Sequence, residues 1–212
     1  MLRSEFCYIE SFNRNFAGSL LFVGGTQFLV AMIVAEALYP GYSVSSNYTS
    51  DLGVGPSVII FNSSVFLIGL AIVTSSYYIQ RIFRNLLISI LAALAGVEAA
   101  GVGLFLETVP LLHFAFSFTT FFFGALSAIA AYKIQKSPLS YFSVLMGIVS
   151  LAASALFVTE NDLGLGIGGM ERMVAYPIIL WAIGFGGHLI GQSGWTVQST
   201  KTERISIPCF HK

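Results

Sequence analysis

The sequence predicts an all-α fold: a bundle of six membrane-spanning helices, with both termini on the cytoplasmic side. Three observations carry this prediction. The chain is poor in charge, it contains six long apolar runs, and its basic residues fall on one side of them. Charged residues make up 9% of the 212 and hydrophobic residues 56%. An ordinary soluble domain holds about 25% charged residues, so most of this surface faces lipid. The runs cover 16–39, 56–79, 84–106, 109–134, 138–158 and 174–192. At 1.5 Å per residue, each crosses roughly 30 Å of hydrocarbon.

Each run is justified by its length and its flanks. The first begins after Asn15, and its apolar core exceeds the roughly 7–15 residues of a cleavable signal. Before it, Leu2, Phe6 and Ile9 stand at helical spacing, which fits either a short helix on the membrane surface or a frayed tail. Runs two and three are joined by a short basic connection holding Arg81 and Arg84. Runs three and four are separated only by Glu107-Thr108 and form an antiparallel hairpin. Runs four and five meet at Lys133 and Lys136. The sixth run is followed by a polar stretch, 193–212, which reads as a flexible cytoplasmic tail with Lys201, Arg204 and Lys212. With Arg3 and Arg14, nine of the ten basic residues lie on one side, and the positive-inside rule makes that side cytoplasmic. Tyr77, Tyr78, Tyr132, Tyr141 and Trp195 mark the inner interface, and Tyr39, Tyr42 and Tyr176 the outer one. Gly, Ala and Ser within the runs suit closely packed membrane helices. Cys7 and Cys209 lie in the two tails on the reducing side and read as free thiols.

The polar chemistry collects towards the outer side. Asp51, Glu107, Glu160, Asp162 and Glu171 fall in the connections 40–55, 107–108 and 159–173. Glu36, Asn62, Glu98 and His113 lie in four different helices, about 5–12 Å below the outer surface by the helical rise. A carboxylate in hydrocarbon costs at least about 2.5 kcal/mol, and so faces the bundle interior or a water-filled cavity. Glu98 is the deepest. It either pairs with His113 or Arg172, or bonds a neighbouring helix as structural glue. His113 is either a hydrogen-bonded structural residue or an imidazole made more basic by Glu107. Arg172 either pairs with an acid and fixes a loop over the bundle, or clamps an anionic group. One histidine among carboxylates is a poor zinc set, and Cys209 with His211 is too few ligands, so no metal and no cofactor is assigned. Asn47-Tyr48-Thr49 is a glycosylation sequon in an outer loop. His188 reads as a packing or interfacial residue.

Three groups of residues carry a family resemblance. Tyr39-Pro40-Gly41-Tyr42, Asn47-Tyr48-Thr49-Ser50-Asp51-Leu52-Gly53 and Phe61-Asn62 form the first. Gly103-Leu104-Phe105-Leu106-Glu107 followed by His113 forms the second, and Gly169-Met170-Glu171-Arg172 the third. Together they resemble the signature of a membrane family, the domain of unknown function 998, over nearly the whole chain. Leu106 departs from it, since a proline is usual before the Glu. More distantly, the Ser-Asp element is similar to that of DRAM- and Frag-type membrane proteins. The resemblance implies six helices and a membrane location. It implicates Asn47, Ser50, Asp51, Asn62, Glu107, His113, Glu171 and Arg172. Ser50-Asp51 and Gly53 also suit a local turn.

The first functional expectation is therefore an outward-facing acidic, polar site in the cell membrane, suited to a lipid headgroup or small polar ligand. Asn47, Ser50, Asn62, Glu98, Glu171 and Arg172 are its ligand-binding candidates. Asp51, Glu107 and His113 are the acid–base candidates for a lipid-processing hydrolase or transferase, which needs a base within reach of a nucleophile or water. Two rivals stand beside it. A structural subunit of a membrane complex would pair its polar residues internally, with other membrane subunits as partners. A small-solute transporter would show polar residues through its whole depth. Membrane lipids are expected partners, and a net charge of zero leaves no nucleic-acid footprint.

Overall fold

The computed structural model describes residues 2–202, with side chains described over 8–193. Six helices appear, and no strand among the described residues: α1 (Leu2–Leu38), α2 (Val58–Phe83), α3 (Leu86–Leu104), α4 (Pro110–Ala130), α5 (Leu139–Val158) and α6 (Ile167–Thr202). Single 3-10 turns cover Ser50–Gly53 and Ala131–Lys133. All six helices are long and apolar enough to cross a membrane. Outward-facing Leu67, Val97, Phe114, Leu145, Ile148 and Leu180 are exposed, as a lipid-facing wall requires. The chain is a multi-pass membrane protein.

Local chemistry sets the helix ends. Arg84 closes α2 in the left-handed conformation, φ 50°. Asn85 then caps α3, its side chain accepting from the Ile88 amide at 3.4 Å. Pro110 opens α4, where its missing N–H has no partner to lose. Two helices exceed the sequence expectation. α1 continues to Leu2 instead of beginning at residue 16, so the N-terminal stretch is neither a separate surface helix nor a frayed end. Arg14 explains part of this: it bridges Glu10 one turn back (2.8 Å) and donates to Gln192 of α6 (2.9 Å), while Ser11 donates to the Ser193 carbonyl. α6 starts at Ile167, seven residues before the expected 174. It also runs on to Thr202, into the stretch expected to be a tail; residues 203–212, with Cys209 and His211, lie outside the described residues.

The helices form an antiparallel ring in chain order, each packing on the next, with α6 closing back onto α1. α4 also touches α6, which leaves α5 outside that seam. Glycines permit the closest approaches. A Cβ on Gly69 would strike the Ala100 amide nitrogen of α3, and one on Gly96 would lie 2.7 Å from the Val73 nitrogen of α2. Gly18 and Gly186 bring α1 and α6 together in the same way. The alternating direction gathers Glu36, Asp51, Glu107, Glu160, Asp162 and Glu171 at one end of the ring, here the acidic end. Arg14, Arg81, Arg84, Lys133 and Lys136 lie at the other, the basic end.

Candidate functional site

At the acidic end, loop 40–55 folds over the start of α6. Gly41 turns the chain at φ 74°. Asn47 ties the loop to itself. Its Oδ1 accepts from the Ser43 amide at 3.0 Å, and its Nδ2 donates to Asp51 Oδ2 at 3.1 Å, where the Tyr48 amide also donates (3.0 Å). Asn62 reaches up from α2 and donates to the Gly53 carbonyl at 2.8 Å. Asn47, Asp51 and Asn62 thus hold the loop's shape. The loop also meets α6 directly. The Gly168 amide donates to the Ser45 carbonyl at 3.0 Å, and a Cβ on Gly168 would strike the Asn47 carbonyl.

Arg172 locks this arrangement. It is 5% exposed. Its Nη1 donates to the Val44 and Gly168 carbonyls, both at 2.9 Å, and its Nη2 donates to Glu36 Oε1 (2.5 Å) and Tyr42 Oη (2.8 Å). The guanidinium also lies 5.7 Å from the Tyr42 ring centroid. Of the two uses the sequence allows Arg172, this geometry is the internal one: a buried guanidinium paired with a partly exposed Glu36, fixing a loop over the bundle. Glu98, in turn, meets neither His113 nor Arg172. Its Oε2 accepts from the Thr119 hydroxyl at 3.0 Å, because α3 turns Glu98 towards the seam with α4 and turns Ala95, Ala99 and Val102 inward.

Beneath the loop lies a cavity of about 130 Å³ inside the ring. Its head is lined by Thr49, Ser50, His113 and Glu171. Its walls are Phe28, Met32, Val65, Ile68, Ala95 and Ile179 among others, and its foot is Leu21, Ile79, Ile88 and Phe185. From Val102 to Ile88 along α3 the lining spans about 21 Å at the helical rise. The lining thus runs from the acidic end of the bundle towards the basic end, and we call it the shaft. α5 contributes no lining residue, consistent with its place outside the α4–α6 seam.

His113 is the key polar group at the head. It is 7% exposed. Its Nδ1 lies 2.8 Å from the Phe105 carbonyl oxygen, which can only accept, so Nδ1 carries the proton. Nε2 is left as a buried atom without a hydrogen-bond partner. Glu107 stands nearby with Ser50 and Asp51 against its carboxyl, and its Oε2 is also buried and unpartnered. Burial first, and then the charge of Asp51, push the Glu107 carboxyl above its ordinary value, against the pull of His113. Glu171 accepts from the Thr49 amide at 2.5 Å. Buried polar atoms are nearly always bonded, so His113 Nε2 and Glu107 Oε2 leave hydrogen-bonding capacity unmet at the head of the shaft.

The structure therefore brings Ser50, Asp51, Glu107, His113 and Glu171 to one place. It puts Asn47, Asn62 and Arg172 in the scaffold above them, and Glu98 in a separate seam. No group of three His, Cys, Asp or Glu among the described residues is arranged to hold a metal ion. Ser117, Thr120 and Ser127, absent from the sequence-derived candidates, also line the shaft from α4. Their spacing from His113, at i+4, i+7 and i+14, is one helical face, and that periodicity was the available signal. Residues 22–188 match the profile of a family described as protein of unknown function (DUF998). No curated protein and no solved structure matches the chain.

Proposed function

This chain belongs to the DUF998 family of membrane proteins, and from that premise we propose that it binds a single-chain amphiphile inside its helix ring. The headgroup sits at His113 and the hydrocarbon chain runs down the shaft. The observation that carries this reading is the buried, unpartnered His113 Nε2 at the head of a largely apolar passage. Ligand sites are mostly apolar, with a few placed polar groups that fix orientation.

The surroundings narrow the headgroup chemistry. Glu171 lines the head and Glu107 and Asp51 stand beside it, while both terminal nitrogens of Arg172 are engaged within the chain. Electrostatic complementarity then favours a neutral hydroxyl or an amine over a phosphate. His113 Nε2 accepts the headgroup's O–H or N–H, and Glu171 faces it. The same reading gives the molecule a direction. The basic end lies in the cytoplasm and the acidic end faces outward from the cell membrane, because basic residues are retained on the cytoplasmic side.

Trp181 lines the shaft and serves as an internal reporter. The full chain in detergent is titrated with brominated long-chain amine, alcohol and phosphate, and Trp fluorescence is followed. Saturable quenching by amine and alcohol is expected, with phosphate weaker by about tenfold or more. Trp181→Phe should abolish the saturable signal, and His113→Ala should weaken it. If no probe produces saturable quenching that depends on Trp181, the proposal fails.

A further inference from the structure

The foot of the shaft carries a second unpartnered polar group. Ser127 lines the cavity, is 1% exposed, and its Oγ has no hydrogen-bond partner. A serine or threonine within a helix ordinarily returns its hydroxyl to a carbonyl about one turn back. Ser64, Thr74, Ser76 and Thr120 do so here, and Ser127 does not. A separate polar chain joins α5 and α6: the Trp181 indole N–H donates to Ser143 Oγ at 2.8 Å, and the Ser143 hydroxyl donates to Gln135, whose Nε2 is itself buried and unpartnered. Nothing charged lines the shaft at this depth, where Leu21, Ile79, Ile88 and Phe185 close it.

His113 and Ser127 share one face of α4, fourteen residues and so about 21 Å apart. Ser117 and Thr120 lie between them on the same face and also line the shaft. A hydrocarbon tail ending at Ser127 would seal a hydroxyl in apolar surroundings with no bond, an unfavourable arrangement. Resting on the amphiphile reading above, we infer that the bound chain is two-ended, with an uncharged hydrogen-bonding group such as a hydroxyl or carbonyl at its far end, where Ser127 meets it. The ligand class is a long α,ω-bifunctional chain. Its near end is recognised by His113 and Glu171, its far end by Ser127, and the stretch between by mostly apolar side chains, with Ser117 and Thr120 on the α4 face.

The test compares a long-chain α,ω-diol with the monoalcohol of equal length. Each displaces the brominated alcohol from the full chain in detergent, read as recovery of Trp181 fluorescence. The diol should bind about 3–10-fold more tightly, the increment of one net hydrogen bond. Ser127→Ala should remove that preference by loosening the diol alone, and His113→Ala should weaken both ligands alike. Equal affinities in the unmodified protein, or a preference that survives Ser127→Ala, overturn the two-ended inference and leave the amphiphile reading standing. Absence of binding by either ligand overturns both.

Discussion

Arg172 shows how one side chain can hold a loop, a helix start and a neighbouring helix at once. Removing it leaves a partly exposed Glu36 without its base and orphans the Val44 and Gly168 carbonyls, and each buried polar group left unsatisfied costs about 1–3 kcal/mol. Arg172→Ala is therefore expected to lower the thermal unfolding midpoint in detergent steeply. Arg172→Lys should recover only part of the loss, because an ammonium cannot make the forked contacts. Glu107 yields a pH prediction. Its carboxyl lies above the ordinary value of 4.5 because of burial and Asp51, so the folded state holds this proton more tightly than the unfolded chain. Its contribution to stability is complete below the ordinary value and is lost as pH rises through the raised one. Glu107→Gln should flatten that decline, as unfolding midpoints measured from about pH 4 to about pH 7 would show; parallel curves for the two proteins would assign the decline elsewhere. At this scale the sequence was partly legible. An acid partner for Arg172 was readable, but its identity was not. Glu36 lies 136 residues earlier, and only the neighbour relation of α1 and α6 brings it into reach.

Among the elements, glycine decides which helix pairs close up. The Gly69–Gly96 crossing of α2 and α3 leaves no room for a methyl group against backbone atoms, and forced overpacking costs about 1–3 kcal/mol. Gly69→Ala should destabilise accordingly. Gly184→Ala should be neutral or stabilising by up to about 1 kcal/mol, since a Cβ there meets nothing within 4 Å; paired melting curves in detergent separate the two. All six helices were legible from apolar length alone, because hydrocarbon tolerates no other lipid-exposed backbone here. The start of α6 was not. The stretch 164–169 falls in the expected connection 159–173, yet only its Gly164 and Gly166 take positive φ, at 82° and 75°. Gly168 and Gly169 are helical, and Gly168 is required where loop 40–55 crosses it. The shaft was illegible for a related reason. Its polar face on α4 is written in serines and threonines, which a depth-by-depth inventory of charges passes over.

At the scale of the whole molecule, the acidic and basic ends make the proposed direction testable. In a chain whose two native cysteines are replaced by serine, Asp162→Cys should react with a membrane-impermeant maleimide on intact cells. Lys133→Cys should react only after permeabilisation, and the opposite pattern would reverse the assignment. The ring also has a seam, and its position has a consequence in time. The first and last helices are the ones that meet, at Gly18 and Gly186, and α6 supplies Arg172, Glu171, Ala175, Ile179 and Phe185 to the clamp and the shaft. During synthesis the first five helices precede α6, and Glu36 has yet to meet Arg172. The shaft gains its last wall only when the final span arrives, so a chain cut short before it lacks both that wall and the base that meets Glu36.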